Sequence, residues 1–212
     1  MQIVKDYRDN KVLRDSFNEL AKKVFDLDFE GWYQNGFWNE NYIPYSVVID
    51  GKVVANVSVN RCDMNYNGSV LKLIQLGTVM TDPDYRGKGY ARTLMENIMQ
   101  EYEGRTDGMF LYANDSVLTF YLKFGFYEKA EYQYSKPVKN STGDVTKKFS
   151  MDDVIASFGS AIRRATLFFT PIDRRGYEET VVDEADTTFF VRGKAFETIG
   201  DDKFMFQAIA HA

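Results

Sequence analysis

Apolar residues near the start of the chain recur with a helical period, and further on they alternate. Leu13, Phe17, Leu20, Ala21, Val24 and Phe25 fall on one helical face, with Asn10 or Asp9 placed to cap it. An aromatic stretch follows at residues 29–38, too rich in Gly and Asn for a long regular element. Residues 45–49 and 52–59 then read as strands joined at Asp50-Gly51, a dipeptide that tolerates the positive φ of a tight hairpin. A second turn at Asn67-Gly68 leads into a strand over 70–80. Ala91, Leu94, Met95, Ile98 and Tyr102 restore the helical period, with polar residues opposite. Residues 109–113 make a short apolar strand. Val117, Phe120, Tyr121 and Phe124 repeat the helical pattern until Gly125, a left-handed cap, and 126–134 alternate again. The order is helix, three strands, helix, strand, helix, strand: an α+β mixed sheet flanked by helices.

Beyond this unit, placed at residues 1–137, residues 138–150 read as a polar linker. Residues 151–212 form a small C-terminal α/β annex, with a helix opened by Ser150 and Asp153 and strands at 165–170, 187–191 and 204–209. An annex of that size is near the lower limit for independent folding, so it is expected to pack on the first unit or to join a homodimer.

Composition narrows the function. With 26 Lys+Arg against 31 Asp+Glu and a formal charge of -5, a general grip on nucleic acid or anionic lipid is not expected. Cys62 is the only cysteine, which excludes an intrachain disulfide. No uncharged apolar run reaches membrane-spanning length, and the reading is cytoplasmic. No cluster of metal-ligand type emerges, and His211, the only histidine, stands next to the last residue.

The chemistry concentrates in residues 85–92, Tyr-Arg-Gly-Lys-Gly-Tyr-Ala-Arg, between a strand and a helix. A helix start offers unpaired N–H groups and a positive dipole end, two glycines clear the approach, and Arg86, Lys88 and Arg92 add charge. That combination suits a pyrophosphate. A surface turn with solvated cations is the other reading of these residues taken alone. A dinucleotide fingerprint fails because its third glycine falls on Arg92 and hairpins precede it, and a P-loop lacks its Lys-Ser/Thr.

Residues 86–91 match the Arg/Gln-x-x-Gly-x-Gly/Ala signature of the GNAT superfamily of N-acetyltransferases. Asn114, Val117, Tyr121, Gly125 and Phe126 then follow the spacing of that family's Asn-x-x-Ala-x-x-x-Tyr-x-x-x-Gly-Phe segment, with Val in place of Ala. The chain resembles that family over residues 1–137. The resemblance implies acetyl-CoA as co-substrate, no metal, and transfer to the amine of a small molecule by direct attack. It implies that the pyrophosphate lies on the amides of Gly87, Lys88, Gly89, Tyr90, Ala91 and Arg92, with Arg86 beside it. The pantetheine arm would run along Val79, Met80 and Thr81, with Asn114 opposite. Val79 N–H would serve the thioester carbonyl and Tyr121 would protonate the leaving thiolate, unless Tyr121 is simply a core aromatic.

Gln75 stands where some members carry a glutamate base. An amide holds a water but takes no proton, so deprotonation passes through water or through Asp28 or Glu30. The resemblance assigns the acceptor side to residues 29–45. Trp32, Tyr33, Phe37 and Trp38 either wall an apolar amine or pack the core, and Asp26, Asp28 and Glu30 either attract its cation or are solvated. The alternative function is an acyl-CoA binding or sensing module without catalysis.

Overall fold

The computed structural model describes residues 1–66, 69–130, 132–135, 167–169, 178–181, 187–199 and 207–208. The expected helix in 150–162, the linker at 138–150 and His211 lie outside these residues. The first strand is β1 (Gln2–Lys5), followed by α1 (Lys11–Phe25), whose N-cap Asn10 accepts from Leu13 N at 3.2 Å. The aromatic stretch contains a short helix, α2 (Glu30–Gln34). Strands β2 (Tyr42–Ile49), β3 (Lys52–Tyr66) and β4 (Ser69–Thr81) form antiparallel hairpins, and Asp50 and Gly51 both take positive φ, 50° and 77°, in the first turn. Next come α3 (Tyr90–Tyr102), β5 (Gly108–Asn114), α4 (Leu118–Leu122) and β6 (Tyr127–Glu128).

The remaining described elements are β7 (Tyr132–Ser135), β8 (Leu167–Phe169), β9 (Glu178–Val181), β10 (Thr187–Arg192), α5 (Lys194–Ile199) and β11 (Gln207–Ala208). The main sheet runs β1-β2-β3-β4-β5-β10-β6, with β8 paired to the far end of β3 and β11 to β8. Strands β7 and β9 pair separately. The alternation expected over 126–134 thus divides between two sheets. Strand β10 lies between β5 and β6, antiparallel to both, so the described strands cross the expected boundary at 137. In chain order β8 pairs with the far end of β3 before β10 takes its place beside β6.

Both faces of the sheet are covered. On one, Leu94, Met95 and Ile98 of α3 and Tyr121 and Phe124 pack on Val57, Ile74, Leu76, Leu111 and Phe190. On the other, Phe17, Leu20 and Ala21 of α1 meet Tyr42, Val48, Val53 and Met80. Beside them, Leu73, Phe110, Phe189 and Val191 pack with Ala195 and Phe196 of α5. All four apolar positions that the periodicity gives to α3 after Ala91, namely Leu94, Met95, Ile98 and Tyr102, are buried.

Candidate active site

A cleft opens where β4 and β5 part. Parallel pairing links only Leu73–Gln75 with Gly108–Phe110, and from Leu76 onward β4 has no strand partner on that side among the described residues. The other side of β4 carries a β-bulge. Ser58 opposes Gly77 and Asn56 opposes Met80, so Val57 alone faces both Thr78 and Val79. Thr78 takes φ 48°, a left-handed conformation rare for a β-branched residue. The extra residue reverses the phase of the strand. Before it Leu76 packs under α3, and after it Met80 turns to α1.

The Arg86–Arg92 turn lies at the end of β4. Pro83–Tyr85 forms a 3-10 turn capped by Asp82, and Lys23 on α1 pairs with Asp82 at 2.7 Å. Gly87 and Gly89 have φ 75° and 80°, and a Cβ built on either meets no protein atom within 4 Å. The glycines therefore serve the left-handed backbone and leave open space in front of it. Gly89 is the N-cap of α3 and supplies no side-chain cap; the first helical bond is Thr93 N to Gly89 O at 3.0 Å. The N–H groups of Tyr90, Ala91 and Arg92 precede that bond. Arg86, Lys88 and Arg92 are exposed around them, with Lys88 Nζ 4.5 Å from the Tyr85 ring centroid. Unpaired N–H groups, open space and three cations fit a pyrophosphate.

Of the other expected site residues, Val79 and Thr81 are half-buried along the cleft, while the Met80 side chain is 2% exposed and offers only its backbone. Asn114 ends β5, exposed, with no cap bond from its side chain. Tyr121 is 4% exposed among Phe120, Phe126 and Phe190, and burial pushes its phenol up to about 12. Gln75 is half-buried opposite Asn60, two amides side by side on the face opposite α3.

The carboxylates expected as bases, Asp28 and Glu30, or as attractors of the amine cation, Asp26 with them, are engaged elsewhere. Glu30 accepts from Arg14 Nε at 2.9 Å and from Gln34 at 2.7 Å, and these bonds, the Arg14 one foremost, hold its carboxyl below the usual glutamate range. Asp28 is exposed and accepts from Glu30 N at 2.8 Å, the first residue of α2. Asp26 pairs with Lys22. Trp38, 2% exposed, packs against Phe17, Phe29, Trp32, Tyr33 and Tyr42, and Phe37 is also buried. The Tyr33 face holds the Arg14 guanidinium at 3.7 Å.

Thr78 and the buried polar side chains beneath it are absent from the expected site. One signal for them exists: Asn56, Ser58 and Asn60 put three polar residues at period two in a strand otherwise rich in valine. Among the described residues, no helix is long and apolar enough to cross a membrane, and no three His, Cys, Asp or Glu side chains gather as metal ligands.

A family model described as an acetyltransferase (GNAT) domain matches residues 10–130, more than half of the chain. No curated protein sequence matches it. Among solved structures, it is similar to a probable N-acyltransferase from Enterococcus faecalis V583, with TM-score 0.54 and 16% identity over 63% of this chain. The matched part is 34% of that protein, so the chain spans about a third of its length. It is also similar to the ribosomal-protein-S18-alanine N-acetyltransferase from Escherichia coli, with TM-score 0.51 and 15% identity over 90% of this chain and 91% of that one. A third, an aminoglycoside 6'-N-acetyltransferase complexed with coenzyme A, gives TM-score 0.50 and 15% identity over 61% and 86%. These identities speak for the fold, and the family model for the membership: the chain belongs to the GNAT acetyltransferases.

Proposed function

We propose that this protein transfers the acetyl group of acetyl-CoA to the amine of a small molecule by direct attack. The observation that carries this reading is the open edge of β4 from Leu76 to Thr81, which leads straight into the uncovered N–H groups after Gly89. Coenzyme A, present in the aminoglycoside acetyltransferase structure, combines a pyrophosphate with an extended amide arm, and the turn and the strand edge match these parts in order. Tyr90, Ala91 and Arg92 would bind the pyrophosphate through their N–H groups, with Arg86 and Lys88 adding charge. The β4 edge and Asn114 would hold the arm.

Acetyl-CoA supplies an acyl group activated as a thioester. Val79 N–H, which points away from the Thr78 carbonyl held by Asn56, would donate to the thioester carbonyl oxygen, a role whose loss costs about 10²–10³ in rate. Tyr121, its phenol pushed up to about 12 by burial, keeps its proton through neutral pH and holds it at Oη for the thiolate. With Glu30 held by Arg14 and Asp28 at the start of α2, the amides of Gln75 and Asn60 are left to orient a water that takes the amine proton. One observation favours a second reading, a sensor that binds without turnover: an amide stands at the position of the base.

Titration calorimetry with acetyl-CoA tests the site, and binding at micromolar strength is expected; no binding would remove both readings. Thiol release with polyamines, aminoglycosides, amino acids and peptides separates them, since the sensor releases none.

A further inference from the structure

Beneath the bulge lies a chain of buried polar groups that the reading above does not use. Asn56, Ser46 and Ser58 are 0% exposed, Tyr42 3% and Tyr7 5%. Asn56 Nδ2 donates to the carbonyl of Thr78 and to Ser58 Oγ, both at 2.9 Å. Ser58 Oγ donates to Tyr42 Oη at 2.9 Å, and Tyr42 Oη lies 2.9 Å from Thr78 Oγ1. On the other side Ser46 Oγ donates to Asn56 Oδ1 at 2.8 Å, and Tyr7 Oη lies 2.6 Å from Ser46 Oγ.

Keeping every buried hydroxyl hydrogen on a partner sets the direction of each bond. The Thr78 carbonyl only accepts, so the Asn56 amide cannot be turned over. Ser46 spends its hydrogen on Asn56, so Tyr7 donates to Ser46. Ser58 spends its hydrogen on Tyr42, and the Tyr42 hydrogen finds a partner only on Thr78 Oγ1. Asn56 thus uses both N–H hydrogens and its oxygen, and the hydrogen of the Thr78 hydroxyl is the one left over. This is not a proton wire. A proton entering at Thr78 would reach the amide nitrogen of Asn56, which gives hydrogens and takes none, so it has no exit.

We infer that Asn56 is a positioning residue for acyl transfer: through the Thr78 carbonyl, Ser58 and Tyr42 it locks the left-handed turn of β4 that aims the Val79 N–H into the cleft, and it leaves the Thr78 hydroxyl as the donor offered to a ligand there. The inference rests on the proposed acetyl-CoA site. A β-branched residue at φ 48° is held only by surroundings that over-determine it, and the two bonds to Thr78 do so from both its carbonyl and its side chain.

The test uses the full chain, [1-¹³C]acetyl-CoA as probe, and the best acceptor found by thiol release. Isotope-edited infrared spectra report the bound thioester carbonyl, which a hydrogen bond shifts to lower frequency. In Asn56→Asp and Tyr42→Phe this shift should be reduced or lost and kcat should fall about tenfold to a hundredfold, with the Kd for acetyl-CoA unchanged. A purely structural role would lower only the Tm, and an unmoved carbonyl band with unchanged kcat would overturn the inference. If both variants fail to fold, Thr78→Val and Thr78→Ser decide at the half-buried end: Val should lower kcat about tenfold and Ser should restore it, whereas Val equal to Ser and to the parent overturns the inference. A parent protein that binds no acetyl-CoA refutes the proposed function itself. One that binds it with no carbonyl shift refutes only the role of Asn56.

Discussion

The pyrophosphate site is most sharply tested at Gly89. Its φ of 80° makes alanine there cost about 1–2 kcal/mol in the free protein, while the added Cβ meets nothing within 4 Å. That strain is present with and without ligand, so by itself it leaves affinity alone. A phosphate seated against the first-turn N–H groups changes this, because the Cβ stands where its oxygens approach. Losing one charge-assisted hydrogen bond costs about 1.5–3 kcal/mol, or about 10- to 150-fold in Kd. Gly51, at φ 77° in the β2–β3 turn and equally free of contacts, is the control. Gly51→Ala and Gly89→Ala should lower the Tm by similar amounts, about 2–8 °C for a chain of this size. Calorimetry with acetyl-CoA should then show weakening only for Gly89→Ala. Equal affinities for the two variants would refute the placement of the pyrophosphate.

Other outcomes follow from the packing and from single side chains. In Gly193→Ala, a Cβ would lie 2.8 Å from Gly108 Cα and 2.9 Å from Asp107 O at φ 111°, so strain and backbone overlap together should cost about 2–6 kcal/mol. A Tm within error of the parent by circular dichroism would deny that β10 and α5 are built into the sheet. Tyr121→Phe should lower kcat about 10²-fold or more with unchanged Kd for acetyl-CoA and unchanged Tm, since the phenol has no hydrogen-bond partner among the described residues; an unchanged kcat retires it as the acid. For Glu30, the folded state holds the carboxyl below its unfolded value of about 4.3, so the stability it contributes is present above that pH and is lost as pH falls through the lowered value. The Tm difference between the parent and Glu30→Gln should therefore shrink on acidification, and a difference constant with pH would show that Arg14 does not depend on the Glu30 charge.

Local signals in the sequence reached α1, α3, α4 and the proposed cofactor turn, whereas the short helices α2 and α5 were not read. A stripe of four apolar residues and two glycines specify α3 and its start without reference to anything distant, and both are found as read. Strand β1 was not legible, because Gln-Ile-Val-Lys is too short to show a period; its identity comes from pairing Ile3 with Val47. The place of β10 was hidden for the same reason. Residues 187–191 read as a strand, yet nothing local says that β5 and β6 are its neighbours. The bulge was also out of reach, since alternation over 70–80 is drawn as unbroken while the extra residue turns Met80 to the opposite face. Aromatic residues were ambiguous in kind: helical period places Tyr121 on the buried face of its helix and cannot say whether its hydroxyl meets core or cleft.

That ambiguity has a structural source. Tyr121 packs on Phe190, and Phe190 belongs to β10, a strand that pairs with β6 but follows it in the chain only after β7, β8 and β9. The proposed acid is thus positioned by a residue nearly seventy positions downstream, whereas the turn proposed to bind the pyrophosphate is complete by Arg92. The two halves of the site separate accordingly. Loosening β10, as Gly193→Ala is expected to do, disturbs the wall behind Tyr121 and leaves the N–H groups after Gly89 in place, so at temperatures where that variant remains folded it should bind acetyl-CoA as the parent does while turning over more slowly. Parallel loss of affinity and turnover would mean that the sheet edge and the turn do not act as independent parts.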